Sequence, residues 1–313
     1  MAGFDDPAFY GDRWAAVYDD HHGQMDPGPA VEFLAGLAGD GRVLELAIGT
    51  GRVALPLAAR GITVEGVDAS AAMVERLRAK PGGDSIPVTM GDMAQVPVSG
   101  RFRLVYLVFN TLFGLLSQAR QAECFGNVAR VLDPGGMFVI ECFVPDLARF
   151  DHDQRVQVRT VTEDSAIIEV SRHDRVQQRV NTQMITLDGQ GMHLRPVAIR
   201  YSWPAELDLM ADRAGLRLTE RHAGWDRRPF TSASDGHVSV YQRGLSANPT
   251  RHESAAHKPV SGIAVAGRRY RPRSRRMPYL SHPMTAEMKL PTRASAVPQL
   301  FIQDTVVRLR SCL

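Results

Sequence analysis

The stretch Val43-Leu44-Glu45-Leu46-Ala47-Ile48-Gly49-Thr50-Gly51-Arg52 constrains the fold more than any other part of the chain. A short apolar strand runs into a turn containing two glycines, and residues 52–60 then follow a helical pattern. A strand, a tight glycine turn and a helix in direct succession bring backbone N–H groups and a helix N-terminus to one point, where a nucleotide-like ligand can be held. The segment Gly49-Thr50-Gly51-Arg52-Val53-Ala54 also satisfies the G-x-G-x-x-G/A dinucleotide pattern. The turn alone therefore does not separate a dinucleotide from other adenosine-bearing cofactors, and an NAD(P)-dependent oxidoreductase is an alternative at this point.

The surrounding pattern alternates. Strands are predicted at 43–46, 62–68, 88–90, 104–109 and 137–143, with helices at 71–80 and 117–132 among them. This rhythm predicts an α/β chain with a doubly wound, mainly parallel, Rossmann-like sheet, in which ligands sit at the carboxyl ends of the strands. Before it lies a helical lead-in carrying Phe9, Tyr10, Trp14 and Tyr18, the last three at helical spacing. Between 155 and 199 the period changes to two, in segments 157–161, 166–171 and 180–187, which predicts antiparallel strands. A helix from near Pro204 to Gly215 and strands at 216–221 and 237–242 restore the α/β rhythm. The expected organisation is a helical cap at 1–40, a core at 41–154, a small antiparallel β insertion on the substrate side at 155–200, the remainder of the core sheet at 201–244, and a tail at 245–313.

Charge separates the tail from the rest. The formal net charge is +3, yet twelve basic and three acidic residues lie after position 250, leaving 25 basic against 31 acidic before it. The cluster Arg268-Arg269-Tyr270-Arg271-Pro272-Arg273-Ser274-Arg275-Arg276 could attract nucleic acid in a salt-dependent way, and RNA binding or RNA methylation through it is a second alternative. With one aromatic in the cluster and an acidic body before it, the expectation is instead a solvated, disordered extension. Cys124, Cys142 and Cys312 have neither disulfide-framework nor zinc spacing, so no metal is expected. The longest apolar stretch falls short of a ~20-residue membrane span, and the opening residues lack a secretory signal. A cytoplasmic chain without membrane contact is expected.

Three further features separate the candidate cofactors. About forty residues precede the first strand. Gly91-Asp92-Met93 follows the third strand, where an acid can meet an adenine amino group and a methionine can cover the ring. Leu132-Asp133-Pro134-Gly135-Gly136 turns the chain into a strong strand. With these residues in view, the chain resembles the class I S-adenosylmethionine-dependent methyltransferases over roughly residues 8–243. Within that class, Phe109-Asn110-Thr111-Leu112-Phe113, the exit Phe143-Val144-Pro145-Asp146 and the antiparallel insertion resemble the N,N-dimethyltransferases of antibiotic amino sugars and the cypemycin-type peptide N-terminal methyltransferases.

The resemblance implies S-adenosylmethionine as cofactor and in-line transfer of its methyl group to an amine or hydroxyl of a small molecule or peptide. It implies that Glu45, Ala47, Gly49 and Gly51 surround the methionine portion, that Asp68 with Ala69 holds the ribose, and that Asp92 and Met93 flank the adenine. Phe109 or Asn110 would face the methyl group. Ala47 departs from the family's first turn glycine, which is harmless if its φ is negative. Tyr18 and His21 are the catalytic candidates, with His22 and His222 as other possible bases for an acceptor that arrives as an ammonium. Tyr10, Trp14 and Trp225 are candidate acceptor walls, because a cation over an aromatic face gains on the order of 1 kcal/mol.

Overall fold

The computed structural model describes residues 3–23 and 25–245. The sequence expectations for the basic tail lie outside these residues, apart from Leu245.

The cap comprises α1 (Phe9–Trp14), α2 (Tyr18–His22) and α3 (Gly28–Ala38). A seven-stranded sheet follows from β1 (Val43–Leu46), β2 (Val64–Asp68), β3 (Val88–Met90), β4 (Phe102–Leu107), β5 (Leu132–Phe143), β10 (Leu216–His222) and β11 (Gly236–Arg243), in the order β10-β11-β5-β4-β1-β2-β3. The five strands β1 to β5 pair in parallel, and β11 enters antiparallel between β5 and β10. Every residue of β1 is buried, as expected of a central parallel strand covered on both faces. The connecting helices are α4 (Ala54–Ala59), α5 (Ala71–Arg78), α6 (Gln118–Val131) and α7 (Pro204–Arg213).

The helix starts follow local chemistry. Ser70 accepts a hydrogen bond from the Met73 N–H at the start of α5, and Ser117 does the same from Arg120 at the start of α6, satisfying amides that have no partner within the helix. Pro204 occupies the first turn of α7, where its missing N–H costs nothing. The Asp133-Pro134-Gly135-Gly136 segment loops out of the β4–β5 ladder, whose pairing jumps from Phe102↔Leu132 to Leu104↔Met137.

A second sheet is a four-stranded meander of β6 (Gln154–Val161), β7 (Ala166–Asp174), β8 (Arg179–Asp188) and β9 (Gly191–Arg200). Sequence periodicity finds three of these strands and misses β9, where Arg195 and Pro196 interrupt the apolar run. Proline is tolerated there because β9 is an edge strand. The covered face of the sheet is mixed, with Val180, Met184, Val197 and Ile199 packing inward beside polar side chains. Glu169, Ser171, His173 and Thr182 are buried, while Val156, Val158 and Leu194 are more than half exposed.

β1 lies between β2 and β4. Chain connections depart from it in opposite directions across the sheet, and such a switch point opens a crevice at the carboxyl ends of the strands. The glycine turn leaves β1 at that crevice. Among the described residues, no helix is long and apolar enough to cross a membrane.

Candidate active site

A cleft of about 310 Å³ opens at this switch point, lined by Tyr18, Glu45, Ala47, Ile48, Gly49, Thr50, Arg52, Val53, Val108, Phe109 and Thr111. Its floor is the end of β1. Glu45 is only 3% exposed and accepts a 2.8 Å hydrogen bond from the Tyr106 hydroxyl. Burial pushes its carboxyl up to about 8, against the opposing pull of Tyr106, Arg52 and the Ala54 amide.

Gly49 has φ +57°, and a Cβ there would meet nothing nearer than the Ala47 carbonyl oxygen at 3.9 Å, so the space above it is open. Gly51, at φ +79°, instead gives room to Leu77, which would lie 2.3 Å from an added Cβ. Ala47 has φ +52°, which corrects the expectation of a negative φ. The turn requires the left-handed region whichever residue fills it, and Ala47 carries the strain.

Asp68 ends β2. Its Oδ2 accepts the Gly49 N–H at 2.7 Å, its Oδ1 accepts the Ser70 N–H at 2.8 Å, and the Ala69 amide adds a third bond. Burial nevertheless leaves its carboxyl above the ordinary range. Asp92 accepts the Ala94 N–H at 2.8 Å and pairs with Arg120. The neighbouring Met93 is partly buried and packs against the hydrophobic core.

Tyr18 brings the cap onto the cleft. Its phenol is hydrogen-bonded by Arg52, and its ring lies 4.7 Å from that of His22, which in turn lies edge-on to Phe109 at 5.1 Å. Burial, with His21 and Arg52 nearby, pushes His22 down to about 4, so this imidazole is neutral at physiological pH. The segment is latched to the glycine turn: Asp19 accepts a 2.7 Å bond from the Thr50 hydroxyl and pairs with Lys80 at 2.9 Å, and Lys80 also reaches the Thr50 carbonyl at 2.9 Å.

The remaining predicted residues are placed as follows. His21 has Nδ1 2.9 Å from the Val17 carbonyl and its ring edge-on to Trp14, outside the cleft lining. Trp14 is buried among Ala15, Met73, Met184 and Val197, and its indole N–H donates to the Pro196 carbonyl at 3.5 Å. Tyr10 stacks on Trp14 and is 37% exposed. Trp225 packs on Phe33 and donates its indole N–H to Glu141 Oε1 at 2.8 Å. His222 pairs with Glu220. The Asn110 side chain accepts the Phe143 N–H at 2.6 Å, which occupies its oxygen.

Arg52, Tyr106 and Glu141 were not singled out from the sequence. Glu141 carried a signal, as a lone acid inside the apolar run Phe138-Val139-Ile140-Glu141-Cys142-Phe143.

A second cavity, about 520 Å³, lies under the meander, lined by Phe143, Phe150, Tyr201, Glu169, Ser171 and Thr182 among others. It shares no lining residue with the cleft. The two meet through the chain itself, since Phe109 lines the first, Phe143 lines the second, and Asn110 bonds to Phe143.

A strand-end carboxylate, an open glycine turn and a second acid at the end of β2 define a Rossmann-like site for an adenosine-bearing cofactor. Residues 43–136 match a family model described as a methyltransferase domain. The CcbJ methyltransferase from Streptomyces caelestis is 40% identical with a TM-score of 0.72, the match covering 76% of this chain and 99% of that one. The cypemycin N-terminal methyltransferase of a Streptomyces species is 27% identical over 244 residues, 76% of this chain and 99% of the relative. CalS10, an amino pentose methyltransferase from Micromonospora echinaspora solved with S-adenosylmethionine bound, is 23% identical with a TM-score of 0.56, over 74% of this chain and 96% of that one, and shares the fold. The chain belongs to the class I S-adenosylmethionine-dependent methyltransferases.

The site fits that cofactor. The open space above Gly49 admits a ligand against the turn. The buried Glu45 sits where a ligand cation would stabilise its charge, and each Asp68 oxygen accepts a hydrogen bond while keeping lone-pair capacity for a further donor.

Proposed function

We propose that this chain methylates an amine nitrogen of a small molecule or peptide, with the cofactor in the Tyr18–Glu45–Phe109 cleft and the acceptor on the side of the meander. The observation that carries the placement of the sulfonium cofactor is the aromatic cluster of Tyr18, His22 and Phe109 at the cleft. Its faces favour a cation, and because His22 is neutral it adds no repulsion against one.

Bound S-adenosylmethionine supplies a methyl group already activated by a sulfonium. The chain's own task is to hold the acceptor in line with that methyl and to exclude water. Glu45 would meet the ammonium of the methionine portion and Arg52 its carboxylate. Asp68 would accept hydrogen bonds from the ribose hydroxyls, and Asp92 with Met93 would flank the adenine. Phe109 and Tyr18 would wall the methyl group. Tyr18, at the cleft, remains the group proposed to meet the acceptor, whereas His21, held on the Val17 carbonyl outside the cleft lining, is not placed to take its proton. The preference for nitrogen draws support from the cypemycin relative, an N-terminal methyltransferase aligned over nearly its full length.

The test is a mass-spectrometric screen of amine-bearing small molecules and peptides with free N-termini, incubated with the chain and S-adenosylmethionine. Products carrying the new methyl on nitrogen are expected. Methyl found only on oxygen or carbon would overturn the nitrogen assignment.

A further inference from the structure

Two consecutive non-glycine residues leave β4 in the left-handed region, Phe109 at φ +59° and Asn110 at φ +61°. For a bulky aromatic residue this conformation is costly and persists only where the surroundings over-determine it. Here the determinants are on β5. Glu141 Oε2 accepts the Phe109 N–H at 2.6 Å, the Glu141 carbonyl accepts the Asn110 N–H at 3.0 Å, and the Phe143 N–H is bonded by Asn110 Oδ1. The other Glu141 oxygen accepts the Trp225 indole N–H at 2.8 Å. One side chain thus joins the strained exit of β4, whose ring lines the cofactor cleft, to the connection between β10 and β11.

We propose that Glu141 is a positioning residue for the cofactor cleft, its carboxylate holding the Phe109 backbone in the strained conformation that aims the ring at the bound cofactor. The inference rests on the reading of the Tyr18–Glu45–Phe109 cleft as the seat of S-adenosylmethionine. It requires a carboxylate specifically. Both neighbours of the Glu141 side chain are donors, and a carboxylate offers two acceptor oxygens, whereas a carboxamide offers one acceptor and one donor group. A glutamine at 141 must set its NH₂ against either the Phe109 amide or the Trp225 indole. Replacing Trp225 by phenylalanine removes the second donor and frees the glutamine oxygen for Phe109.

The experiment is calorimetric titration of the full chain with S-adenosylmethionine for wild type, Glu141→Gln, Trp225→Phe and the double variant, with melting temperatures alongside. Losing a charge-assisted bond to a strained segment is expected to weaken binding about tenfold in Glu141→Gln, and the double variant should bind within about threefold of Trp225→Phe. A purely structural role would lower the melting temperature of Glu141→Gln and leave its affinity at the wild-type level, which would overturn the proposal. So would a double variant that binds about tenfold more weakly than Trp225→Phe, a comparison that decides even if Glu141→Gln alone does not fold. If the wild-type chain binds no S-adenosylmethionine, the cleft assignment falls and this inference with it. If wild type binds and Glu141→Gln binds equally well, only the role of Glu141 falls.

Discussion

Tyr106 and Glu45 face each other directly across the parallel β1–β4 ladder, and the Tyr106 hydroxyl donates a 2.8 Å hydrogen bond to Glu45 Oε2. Neither has meaningful access to water. Burial dominates, and the carboxyl is pushed up to about 8 from its ordinary 4.5. Near neutrality the unliganded site therefore holds a proton that a bound ammonium would displace. At about pH 6.5, cofactor binding is expected to release close to one proton, measured by titration calorimetry in buffers of different ionisation enthalpy. Glu45→Gln should abolish the release. The stability of the unliganded chain carries the matching sign: the folded carboxyl keeps its proton where the unfolded one has lost it. This contribution is fully present below about pH 4.5 and is lost as pH rises through about 8. Denaturation curves of Glu45→Gln should lack that decline.

The strain at Ala47 is removable. A left-handed alanine costs about 1–2 kcal/mol, while glycine forfeits roughly 0.5–1 kcal/mol through the greater freedom of the unfolded chain. Ala47→Gly should then be stabilising by up to about 1 kcal/mol, a rise of about 2–4 °C in melting temperature for a domain of this size. Cofactor affinity should not fall, since the backbone at φ +52° is already the one glycine prefers. A lower melting temperature in thermal denaturation would show that the Ala47 methyl makes contacts worth more than the strain.

The Asp19 latch holds Tyr18 over the cleft. Burial alone would raise the Asp19 carboxyl, but bonds from Thr50 and Lys80 leave it below the ordinary range. The latch is therefore complete above the usual carboxylate pKa and is lost as pH falls through the depressed value. Because both partners are partly exposed, its effect is modest. Asp19→Ala is expected to raise the S-adenosylhomocysteine dissociation rate about two- to fivefold at neutral pH, with little change in association. Stopped-flow fluorescence would separate the two rates, and a change confined to association would sink the latch.

The parallel sheet was legible in the sequence because each buried strand is a short apolar run ended by a turn, and Ala47 to Gly51 fixed the position of the cleft. The local pattern did not carry which residues meet across strands. Glu45 and Tyr106 are 61 positions apart, and Trp225 and Glu141 are 84 apart. The aromatic stripe of the cap was visible, yet its break after α1 puts Trp14 into the packing against β8 and β9 and Tyr18 over the cofactor turn. The meander was harder to read because its covered face mixes Glu169, Ser171 and Thr182 with Val180, Met184 and Ile199 while Val156, Val158 and Leu194 face outward, so alternation revealed strands without revealing which side was covered.

That buried polarity concentrates at Arg200, 5% exposed at the end of β9. Its guanidinium donates to Gln121 Oε1 and Ser202 Oγ at 2.8 Å, to Gln178 Oε1 at 2.9 Å and to Glu206 Oε1 at 2.7 Å. A planar fork can serve four acceptors from α6, α7, the approach to β8 and the link between β9 and α7, which a lysine ammonium cannot. Arg200→Ala would leave the half-buried Glu206 with only Gln118 and Gln178 as donors and Gln121 without its cation, and is expected to destabilise the chain by about 1–3 kcal/mol at pH 7. Burial tends to raise the Glu206 carboxyl, but Gln178, Arg200 and Gln118 hold it below the ordinary range. Its contribution is thus present above the unfolded value and lost as pH falls through the folded one. The gap between wild type and Arg200→Ala should therefore narrow on acidification, read from denaturant titrations at pH 7 and at a pH below the ordinary carboxylate range. A gap below about 1 kcal/mol at pH 7 would mean that the meander is held to the core by its apolar contacts alone.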